Sequence, residues 1–423
     1  MRGSCQCLLL AVAFAIATMG ASVGVAAEPL AVAAQDFGIV ADGKTDVGPA
    51  LERAVVAATR RAQILLLPCG VYFIDSASVR LPDHAKIRGS GACSVIKQGA
   101  HVSSTSVIGD LVNSDGGTWT LLFTNDDWKH GDSDISIENL AFDMSAAPAG
   151  TSASVAILFY NVSEVRLDRI IVAGAASKGA RSDDGIAFVS SSRFQITNSR
   201  VTDILNACYD TWGNSSDFSI DKNECDAASV PSSCGILVTA MNTDLTPALI
   251  QNARVTNNLI ENVGATAIWV EGGWNKRTGT GATYGVARNV SVVGNSVRGV
   301  TRYHGIRVSD AHDITISHNR VESVAADAFV SATEYDGEQS NLTIDDNQFS
   351  DCNKAGGLYP CVQFEKTTHD VIFEANHVEG SRMLYGVTIN PGCYRVQIIG
   401  NRIQMGQRGT VGDAGSNDVV KGP

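Results

Sequence analysis

The chain contains 423 residues, of which 44% are hydrophobic and 18% charged, and it carries a formal net charge of −12 at pH 7. This negative balance disfavours a nucleic acid as a partner, because phosphate backbones are bound through clustered Lys and Arg side chains. It also disfavours tight binding of polyanions unless local Arg clusters or cations intervene.

The first segment predicts export. Arg2 precedes the apolar run from Leu8 to Ala17, and the small residues of Val25-Ala26-Ala27 provide a cleavage site before Glu28. The run is too short to span a bilayer comfortably. We therefore expect a signal peptide over residues 1–27, a secreted or periplasmic protein, and no membrane span once the signal is removed.

The cysteines fit an exported chain. Of the ten, Cys5 and Cys7 leave with the signal and eight remain, and an even number outside the cytoplasm favours disulfides. Two pairs are near enough in sequence to close local loops, Cys352 with Cys361 and Cys225 with Cys234. The full connectivity stays open, and the absence of a Cys-x-x-Cys pair makes metal binding by these residues less favoured.

The motif Asp-Phe-Gly-Ile-Val-Ala-Asp-Gly-Lys-Thr-Asp, which ends at Asp46, is followed by apolar residues at helical spacing. Asp46 is placed to cap a helix, and Pro49 is tolerated in a first turn. We therefore expect a helix over about residues 46–62. Strands are expected from Gln63 to Pro68 and from Gly70 to Ile74.

From about Leu140 to Ile403 the chain repeats one phrase, in which apolar residues alternate with polar ones, an Asn follows in a turn, and the alternation resumes. The copies are roughly 24 to 37 residues apart, a period that indicates a solenoid of stacked parallel strands. Asn suits the turn because its side chain bonds nearby backbone and tolerates left-handed dihedral angles, so we assign these residues a structural role. The turn positions are Asn223, Asn258, Asn295, Asn319, Asn347, Asn376 and Asn401, with Ser199, Ile170 and Leu140 in the earlier copies.

The opening motif, the helix and the segment Leu67-Pro68-Cys69-Gly70-Val71-Tyr72 together resemble the start of pectate-lyase-superfamily proteins. That superfamily includes polygalacturonases, other secreted glycan-cleaving enzymes and phage tailspikes. The resemblance implies an all-β, right-handed parallel β-helix over residues 28–405, with an N-terminal capping helix. After Met405 the Gly-, Asp- and Ser-rich sequence lacks apolar alternation, and we expect a flexible tail over residues 406–423.

Each coil also contains a second recurring strand that begins with a small residue. If these strands stack in register, their outward positions form a surface column whose neighbours are about 4.8 Å apart. The strands begin at Gly185, Cys208, Gly235, Ala267, Gly305, Cys361 and Gly386. The polar and aromatic residues expected on this column are Asp183, Asp184, Asp210, Trp269, Glu271, His304 and Arg307, and Trp274 lies in a long insertion beside it.

Two segments of this column are similar to polygalacturonase motifs. Ser182-Asp183-Asp184-Gly185-Ile186 resembles the Asn-Thr-Asp motif, which implies a catalytic role for Asp184. Gly305-Ile306-Arg307-Val308-Ser309 resembles the Arg-Ile-Lys motif, with Ser309 at the Lys position. Asn206-Ala207-Cys208 and Ser233-Cys234-Gly235 stand where Asp-Asp and Gly-His-Gly are expected, so the middle motifs do not match.

We interpret the chain as a glycoside hydrolase that acts on a polysaccharide and requires no cofactor. Carboxylates on adjacent coils would lie about 5 Å apart and those two coils apart about 10 Å, which brackets the spacings of retaining and inverting glycosidases. The predicted catalytic residues are Asp184 and Asp210 as acid and base, with His304 and Arg307, and the predicted substrate-binding residues are Asp183, Trp269, Glu271 and Trp274.

Two alternatives stay open. A polysaccharide lyase or C5-epimerase acting on a uronic-acid polymer would use His304 or Arg307 as base, with Ca²⁺ held by Asp183, Asp184 and Asp210. A glycan-binding surface protein without catalysis would use the same column only for contact. The sequence leaves the polysaccharide and the choice between a monomer and a homotrimer undecided.

Overall fold

The computed structural model describes residues 30–102, 119–146, 153–174, 182–227, 231–240, 248–272, 285–332, 337–356, 359–380 and 382–422. Their strands wind into stacked coils, and every strand pairing between coils is parallel. Short strands with alternating apolar residues cannot bury their inner faces alone, so each coil covers the next. The predicted all-β parallel β-helix is confirmed.

The strands form two sheets, which we call the large sheet and the site sheet. The large sheet has 25 strands among the described residues. They are β1 (Ala31–Ala33), β2 (Asp42–Asp46), β3 (Ile64–Leu67), β4 (Gly70–Ile74), β6 (Lys86–Gly89), β7 (Ser94–Gln98), β9 (Ser136–Asp143), β11 (Arg166–Ala173), β13 (Gln195–Thr197), β14 (Arg200–Thr202), β16 (Ser216–Asp221), β17 (Glu224–Asp226), β19 (Leu249–Thr256), β20 (Leu259–Glu261), β22 (Val286–Val293), β23 (Ser296–Val300), β25 (Ala311–Ser317), β26 (Arg320–Val324), β28 (Gln339–Asp345), β29 (Gln348–Ser350), β31 (Thr368–Glu374), β32 (His377–Val378), β34 (Tyr394–Ile399), β35 (Arg402–Ile403) and β37 (Val419–Lys421).

The site sheet has 12 strands, one from each successive coil that it crosses. They are β5 (Val79–Leu81), β8 (Trp119–Asn125), β10 (Ala153–Tyr160), β12 (Ser182–Val189), β15 (Ala207–Trp212), β18 (Cys234–Ala240), β21 (Ile268–Gly272), β24 (Ile306–Ser309), β27 (Phe329–Ser331), β30 (Val362–Phe364), β33 (Tyr385–Ile389) and β36 (Gly409–Asp413). The predicted alignment of the recurring strands is confirmed, since Ile186, Tyr209, Ile236, Ile268 and Ile306 are register partners in turn.

One apolar core runs the length of the tube. The inward residues of both sheets fill it. Aromatic rings stack within and between coils, as Phe194 does on Phe188 of its own coil (3.9 Å between ring centroids) and on Phe218 of the next (4.6 Å). Each such side chain contributes about 1.5–3 kcal/mol when fully removed from water. The core therefore holds the coils in a fixed register, and that register positions the outward side chains.

The predicted Asn turns form a buried hydrogen-bonded ladder. The backbone N–H of Asn258 donates to Oδ1 of Asn295 (2.9 Å), and Asn258 Nδ2 donates to the same oxygen (2.9 Å) and to the carbonyl of Ile220 (2.9 Å). The pattern repeats along the chain and ends at Asn401, whose Oδ1 accepts from the N–H of Asn376 (2.8 Å). Ser199 takes the corresponding place earlier, where its Oγ accepts from the N–H of Ile170 (3.0 Å). The structural role predicted for the turn residues is confirmed.

A helix covers the N-terminal end of the tube. α1 (Gly48–Arg60) buries Leu51, Ala54, Val55 and Ala58 and packs against β3, β5 and β6. It is slightly shorter than the predicted span, and Val47 is its N-cap residue. Asp46 acts one position earlier, since its Oδ1 accepts from the N–H of Gly48 (3.1 Å). No helix among the described residues is long and apolar enough to cross a membrane.

The C-terminal segment differs from the expected flexible tail. β36 and β37 extend the two sheets by pairing with β33 and β34, and Asp418 Oδ1 accepts from the N–H of Val396 (2.8 Å). Parallel pairing uses backbone groups, so the preceding coil orders this segment although its side chains do not alternate. The predicted signal peptide, residues 1–27, lies outside the described residues.

Three disulfides form within the described residues, namely Cys69–Cys93, Cys208–Cys225 and Cys352–Cys361. The predicted Cys352–Cys361 pair is confirmed, whereas the predicted Cys225–Cys234 pair is wrong. Cys208 and Cys225 both face the interior, where they belong to one core cluster. Cys234 is a buried thiol in a different position, as the next section describes.

Candidate functional site

The outward residues of the site sheet form three parallel columns. The second and third columns alternate with core-facing positions, as β-strand pleating requires. The first column contains Asp184, Ala207 and Cys234, and backbone bonding extends it through Thr266, His304 and Asp327. The second contains Ala187, Asp210, Leu237, Trp269 and Arg307, and the third contains Trp212, Thr239, Glu271 and Ser309.

The predicted acids share one face but not one column. Asp184 is the register partner of Ala207, and Asp210 is the partner of Ala187, so the two acids are offset by three positions along adjacent strands. The expected direct stacking, with carboxylates about 5 Å apart on adjacent coils, therefore does not apply to this pair. The sequence pattern locates each strand, but only the pairing shows that Ile186 and Tyr209 are register partners. Asp184 therefore lies two positions before this core-facing pair, and Asp210 lies one position after it.

Asp184, Asp210 and Glu271 are nevertheless buried, with exposed fractions of 3%, 9% and 6%. Oδ1 of Asp184 accepts hydrogen bonds from Nδ2 of Asn206 (2.8 Å) and from the N–H of Ala207 (3.0 Å). Two donors directed at one carboxylate oxygen stabilise its negative charge. The sequence predicted that these acids are exposed on the surface. The structure shows instead that all three are buried.

The carboxyl group of Asp210 lies in an environment that disfavours its negative charge. Burial raises the pKa of Asp210 well above its usual range, and the nearby charge of Asp184 and, to a smaller extent, that of Glu271 raise it further. The N–H of Thr211 opposes this effect only in part. Asp210 is thus favoured in its protonated form beside Asp184, whose carboxylate oxygen accepts two hydrogen bonds. Acid–base catalysis by two carboxyl groups requires one that carries a proton.

Cys234 lies in the same part of the face. Burial raises the pKa of this thiol to about 12, and the charges of Asp210, Asp184 and Glu271 act in the same direction. The thiol is therefore neutral and unsuited to act as a nucleophile.

Trp269 and Arg307 are neighbours in the second column. The Arg307 guanidinium carbon lies 4.5 Å from the centre of the Trp269 ring, and Arg307 Nε and Trp269 Nε1 both donate to Ser309 Oγ (3.2 Å each). The stacked pair presents a cation and a flat ring, groups suited to a sugar carboxylate or hydroxyl and a pyranose face. Both side chains are partly exposed.

His304 has a partner that sequence reasoning missed. Nδ1 of His304 lies 3.1 Å from Oδ2 of Asp327, and Asp327 is almost completely buried. The signal was present, because Asp327 stands two residues before the core-facing Phe329, as His304 does before Ile306 and Asp184 before Ile186.

Two predicted site residues are not located by the structure. Asp183 lies in β12 and its backbone pairs with Ser154 of β10, but its side chain lies outside the described part of the structure, as does the whole of Trp274. Their roles stay predictions.

The described residues contain one group with metal-ligand geometry, His318 with Asp345 and Asp346, whose donor atoms lie within 4.8 Å of one another. It stands at a turn of the large sheet, away from the site sheet, and two of its three side chains are exposed. On the site sheet, the oxygen-rich cluster of Asp184, Asp210 and Glu271 has the ligand type that Ca²⁺ prefers.

Two family models match different parts of the sequence. Residues 31–232 match the family described as "Rhamnogalacturonase A/epimerase, pectate lyase-like", and residues 251–361 and 283–422 match a right-handed β-helix region. No curated protein matches the sequence.

Several solved structures share the fold at low identity. The A-module of the mannuronan C-5 epimerase AlgE4 from Azotobacter vinelandii has a TM-score of 0.65 at 15% identity, covering 92% of this chain and 100% of the epimerase module. The surface adhesin PfbA of Streptococcus pneumoniae has a TM-score of 0.66 at 14% identity, with 92% and 93% covered. A hyperthermoactive exopolygalacturonase from Thermotoga maritima has a TM-score of 0.59 at 13% identity, with 86% and 90% covered. At these identities the likeness concerns the fold alone.

Proposed function

Because the chain is a pectate-lyase-like right-handed parallel β-helix protein, we propose that it binds a polysaccharide along the site sheet and hydrolyses it. The observation that carries the proposal is the buried acid pair. Asp210 has a pKa raised well above its usual range, beside Asp184, whose charge is stabilised by two hydrogen-bond donors. A glycosidase needs one carboxyl group that gives a proton and another that takes one.

In this proposal Asp210 is the general acid and Asp184 the general base. Asp184 removes a proton from a water whose oxygen bonds to the anomeric carbon. As the glycosidic bond breaks, Asp210 gives its proton to the departing oxygen. One strand step of about 4.8 Å and three residues of about 3.3 Å place the two α-carbons up to about 11 Å apart. Inverting glycosidases place their carboxyl groups about 6.5–9.5 Å apart, with space for a water between them, and the offset of these α-carbons suits that class better than direct stacking would.

The neighbouring side chains would hold the substrate. The Trp269 ring offers a stacking surface, Arg307 and His304 offer polar contacts to sugar substituents, and Glu271 accepts hydrogen bonds from hydroxyl groups. Glu271 also helps to keep Asp210 protonated through its charge. Because Asp210 must be protonated, activity is expected to fall as pH rises through its raised pKa.

The test is to incubate the protein with a panel of neutral and acidic polysaccharides and to measure new reducing ends and the absorbance of unsaturated products. We expect reducing ends without unsaturated products on at least one glycan. Asp210→Asn and Asp184→Asn should each lower that rate by about 10²-fold or more, the usual contribution of general acid–base catalysis. Proton NMR of the first product would show inversion at the anomeric carbon.

Asp217→Asn is a matched control for these substitutions. Asp217 lies in β16 of the large sheet, where its side chain bonds Asn252 and Ser216, and its replacement should leave the rate unchanged. Retained turnover in Asp210→Asn would refute the assignment of the acid. Binding of a glycan with no product of either kind would instead identify a glycan-binding surface protein.

A second candidate function is lyase or C5-epimerase activity on a uronic-acid polymer. The observation that favours it is the presence of three buried carboxyl groups, Asp184, Asp210 and Glu271, on the same sheet as Arg307. Carboxylate oxygen is the ligand type that Ca²⁺ prefers, and Arg307 would suit a substrate carboxylate. Unsaturated products that disappear on chelation of Ca²⁺ would support a lyase. Exchange of solvent deuterium into the recovered polymer would support an epimerase.

A further inference from the structure

Asp327 is a buried carboxyl group that the proposed hydrolysis does not use. It is 1% exposed, and burial raises the pKa of its side chain, an effect that His304 opposes. Burial of a carboxyl group opposes folding unless its partners compensate. A residue at this position therefore calls for an explanation other than packing.

The backbone and the side chain of Asp327 make different kinds of contact. Its carbonyl accepts from the N–H of Gly305 (3.0 Å), a coil-to-coil bond that any residue can make. Its Oδ2 lies 3.1 Å from Nδ1 of His304, and its Oδ1 has no partner among the described residues. Within the described part of the chain, the imidazole is therefore the side chain that contacts the carboxyl group, beside the backbone N–H of Asp327 itself.

The contact between the two side chains is close but not linear. The Nδ1–Oδ2 distance is short, yet the imidazole nitrogen does not meet the directional requirement of a hydrogen bond. Hydrogen bonds between catalytic groups are often poorly aligned before substrate binds and tighten in the complex. His304 is partly exposed, whereas Asp327 is buried, so the imidazole is the member of the pair that a bound ligand can reach.

We propose that Asp327 is a positioning residue whose carboxylate accepts a hydrogen bond from the Nδ1–H of His304. Nε2 of the same ring is then left without a proton and accepts a hydrogen bond from a hydroxyl group of the bound sugar. The proposal rests on the proposed function for the identity of the ligand. A neutral imidazole carries its proton on one nitrogen only, so the acceptor at Nδ1 decides which atom meets the sugar. Asp327 acts on the substrate through His304 and does not touch it.

The first measurement is the tautomer of His304, read by long-range proton–nitrogen NMR spectra of the free protein. The signals are assigned with His304→Gln. We expect the proton on Nδ1 in the wild type and on Nε2 in Asp327→Leu, which lacks an acceptor. An unchanged tautomer in Asp327→Leu would overturn the proposal whether or not a substrate is known.

The second measurement is activity on the glycan that the polysaccharide panel identifies. Asp327→Leu should lower kcat/KM by about 10- to 100-fold, which corresponds to the loss of one hydrogen bond involving a charged partner. Asp327→Asn, which keeps an acceptor oxygen, should recover part of that loss. Wild-type activity in Asp327→Leu would overturn the positioning role and leave the hydrolase proposal intact. If the wild-type protein cleaves no glycan, the hydrolase proposal is rejected, and the tautomer of His304 still decides the role of Asp327.

Asp168 supplies the control for a merely structural acid. It is also 1% exposed, but its carboxylate contacts Arg169 (2.7 Å), Thr197 (2.9 Å) and Asn198 (2.8 Å) on the large sheet. Asp168→Leu should lower the midpoint of thermal unfolding and leave turnover per folded molecule unchanged. Asp327→Leu should keep the wild-type midpoint or exceed it while losing turnover, and the opposite result would mark Asp327 as structural.

Discussion

At the scale of single residues, the site sheet keeps carboxyl groups in positions that cost stability. Asp210 stands in the middle of a strand, is buried, and is surrounded by two further acids. Asp184 receives two donors, whereas Asp210 is raised in pKa by burial and by its neighbours. Titratable groups with strongly shifted pKa values that do not stabilise the fold are concentrated at functional sites. This is the physical basis for proposing a catalytic role for these acids.

Asp210→Asn is expected to stabilise the protein at neutral and alkaline pH. The folded-state pKa of Asp210 lies above the unfolded value, so its protonation favours folding. That contribution is complete below about pH 4 and is lost as pH rises through the folded pKa. Thermal unfolding midpoints measured from pH 3 to pH 8 should coincide for both proteins at low pH and separate, with the variant higher, at pH 8.

Asp370→Asn should show the opposite sign. Hydrogen bonds from Arg395 and His369 hold the pKa of Asp370 below its usual range, so its contribution is present above the unfolded pKa and is lost as pH falls. The variant midpoint should be lower at pH 7 and approach the wild type at low pH.

For the preceding prediction, a midpoint of Asp210→Asn that lies below the wild type at pH 8 would contradict the raised pKa of Asp210.

At the scale of elements, the Asn turns determine the register of the coils. Asn295 shows the contacts that the ladder repeats: its Oδ1 accepts from the N–H of Asn258 and its Nδ2 donates to the carbonyl of Val255, both in the preceding coil, and Nδ2 also donates to Oδ1 of Asn319 in the next coil. All the ladder Asn residues are buried. The ladder thus joins the sharp turn between two strands of the large sheet to the same turn one coil away. A solenoid depends on such contacts because each coil touches only its neighbours.

Asn295→Gly is expected to destabilise the protein by about 2–4 kcal/mol, because it leaves the N–H of Asn258 and the carbonyl of Val255 buried without partners. The control is Asn289→Gly, since Asn289 is exposed and has a positive φ of 52° that Gly adopts readily. Chemical denaturation should show a change of about 0.5 kcal/mol or less for the control. Similar losses in both variants would reject the ladder as the cause.

At the scale of the whole molecule, the tube is protected differently at its two ends. α1 covers the N-terminal coil, whereas β36 and β37 complete the C-terminal one and leave Val419 and Val420 partly exposed. The last coil therefore shields the apolar interior of the coil beneath it. Residues 409–421 belong to the folded unit although their composition suggested a loose tail.

Deletion of residues 406–423 is expected to lower the thermal midpoint and promote aggregation, because it uncovers buried Val387, Ile389 and Ile398 and leaves two strand edges unpaired. Differential scanning calorimetry and light scattering during heating would measure both effects. A chain that ends at Lys421 retains both strands and should behave as the wild type. An unchanged midpoint in the larger deletion would show that the last coil is dispensable.

Local pattern made most of the scaffold predictable. Period-two alternation, the turn Asn residues and the amphipathic segment near Pro49 predicted the solenoid, the ladder and the helical cap, because each depends on residues close together in sequence. The same reasoning aligned the strands that begin at Gly185 and Cys208 with their partners. It could not order the last coil, because backbone pairing across coils does so.

The sequence by itself therefore determined a parallel β-helix and the outward positions of Asp210, Glu271 and Arg307, since side-chain alternation fixes which residues point outward. Asp184 and His304 stand two residues before the core-facing Ile186 and Ile306, where alternation alone does not predict an outward side chain. Tertiary structure alone decided that the acids occupy three columns, that they are buried, and that Asp327 stands behind His304. These features depend on register and on coverage by distant segments. Protonation follows from them, because a carboxyl group responds to the charges and the water around it in space.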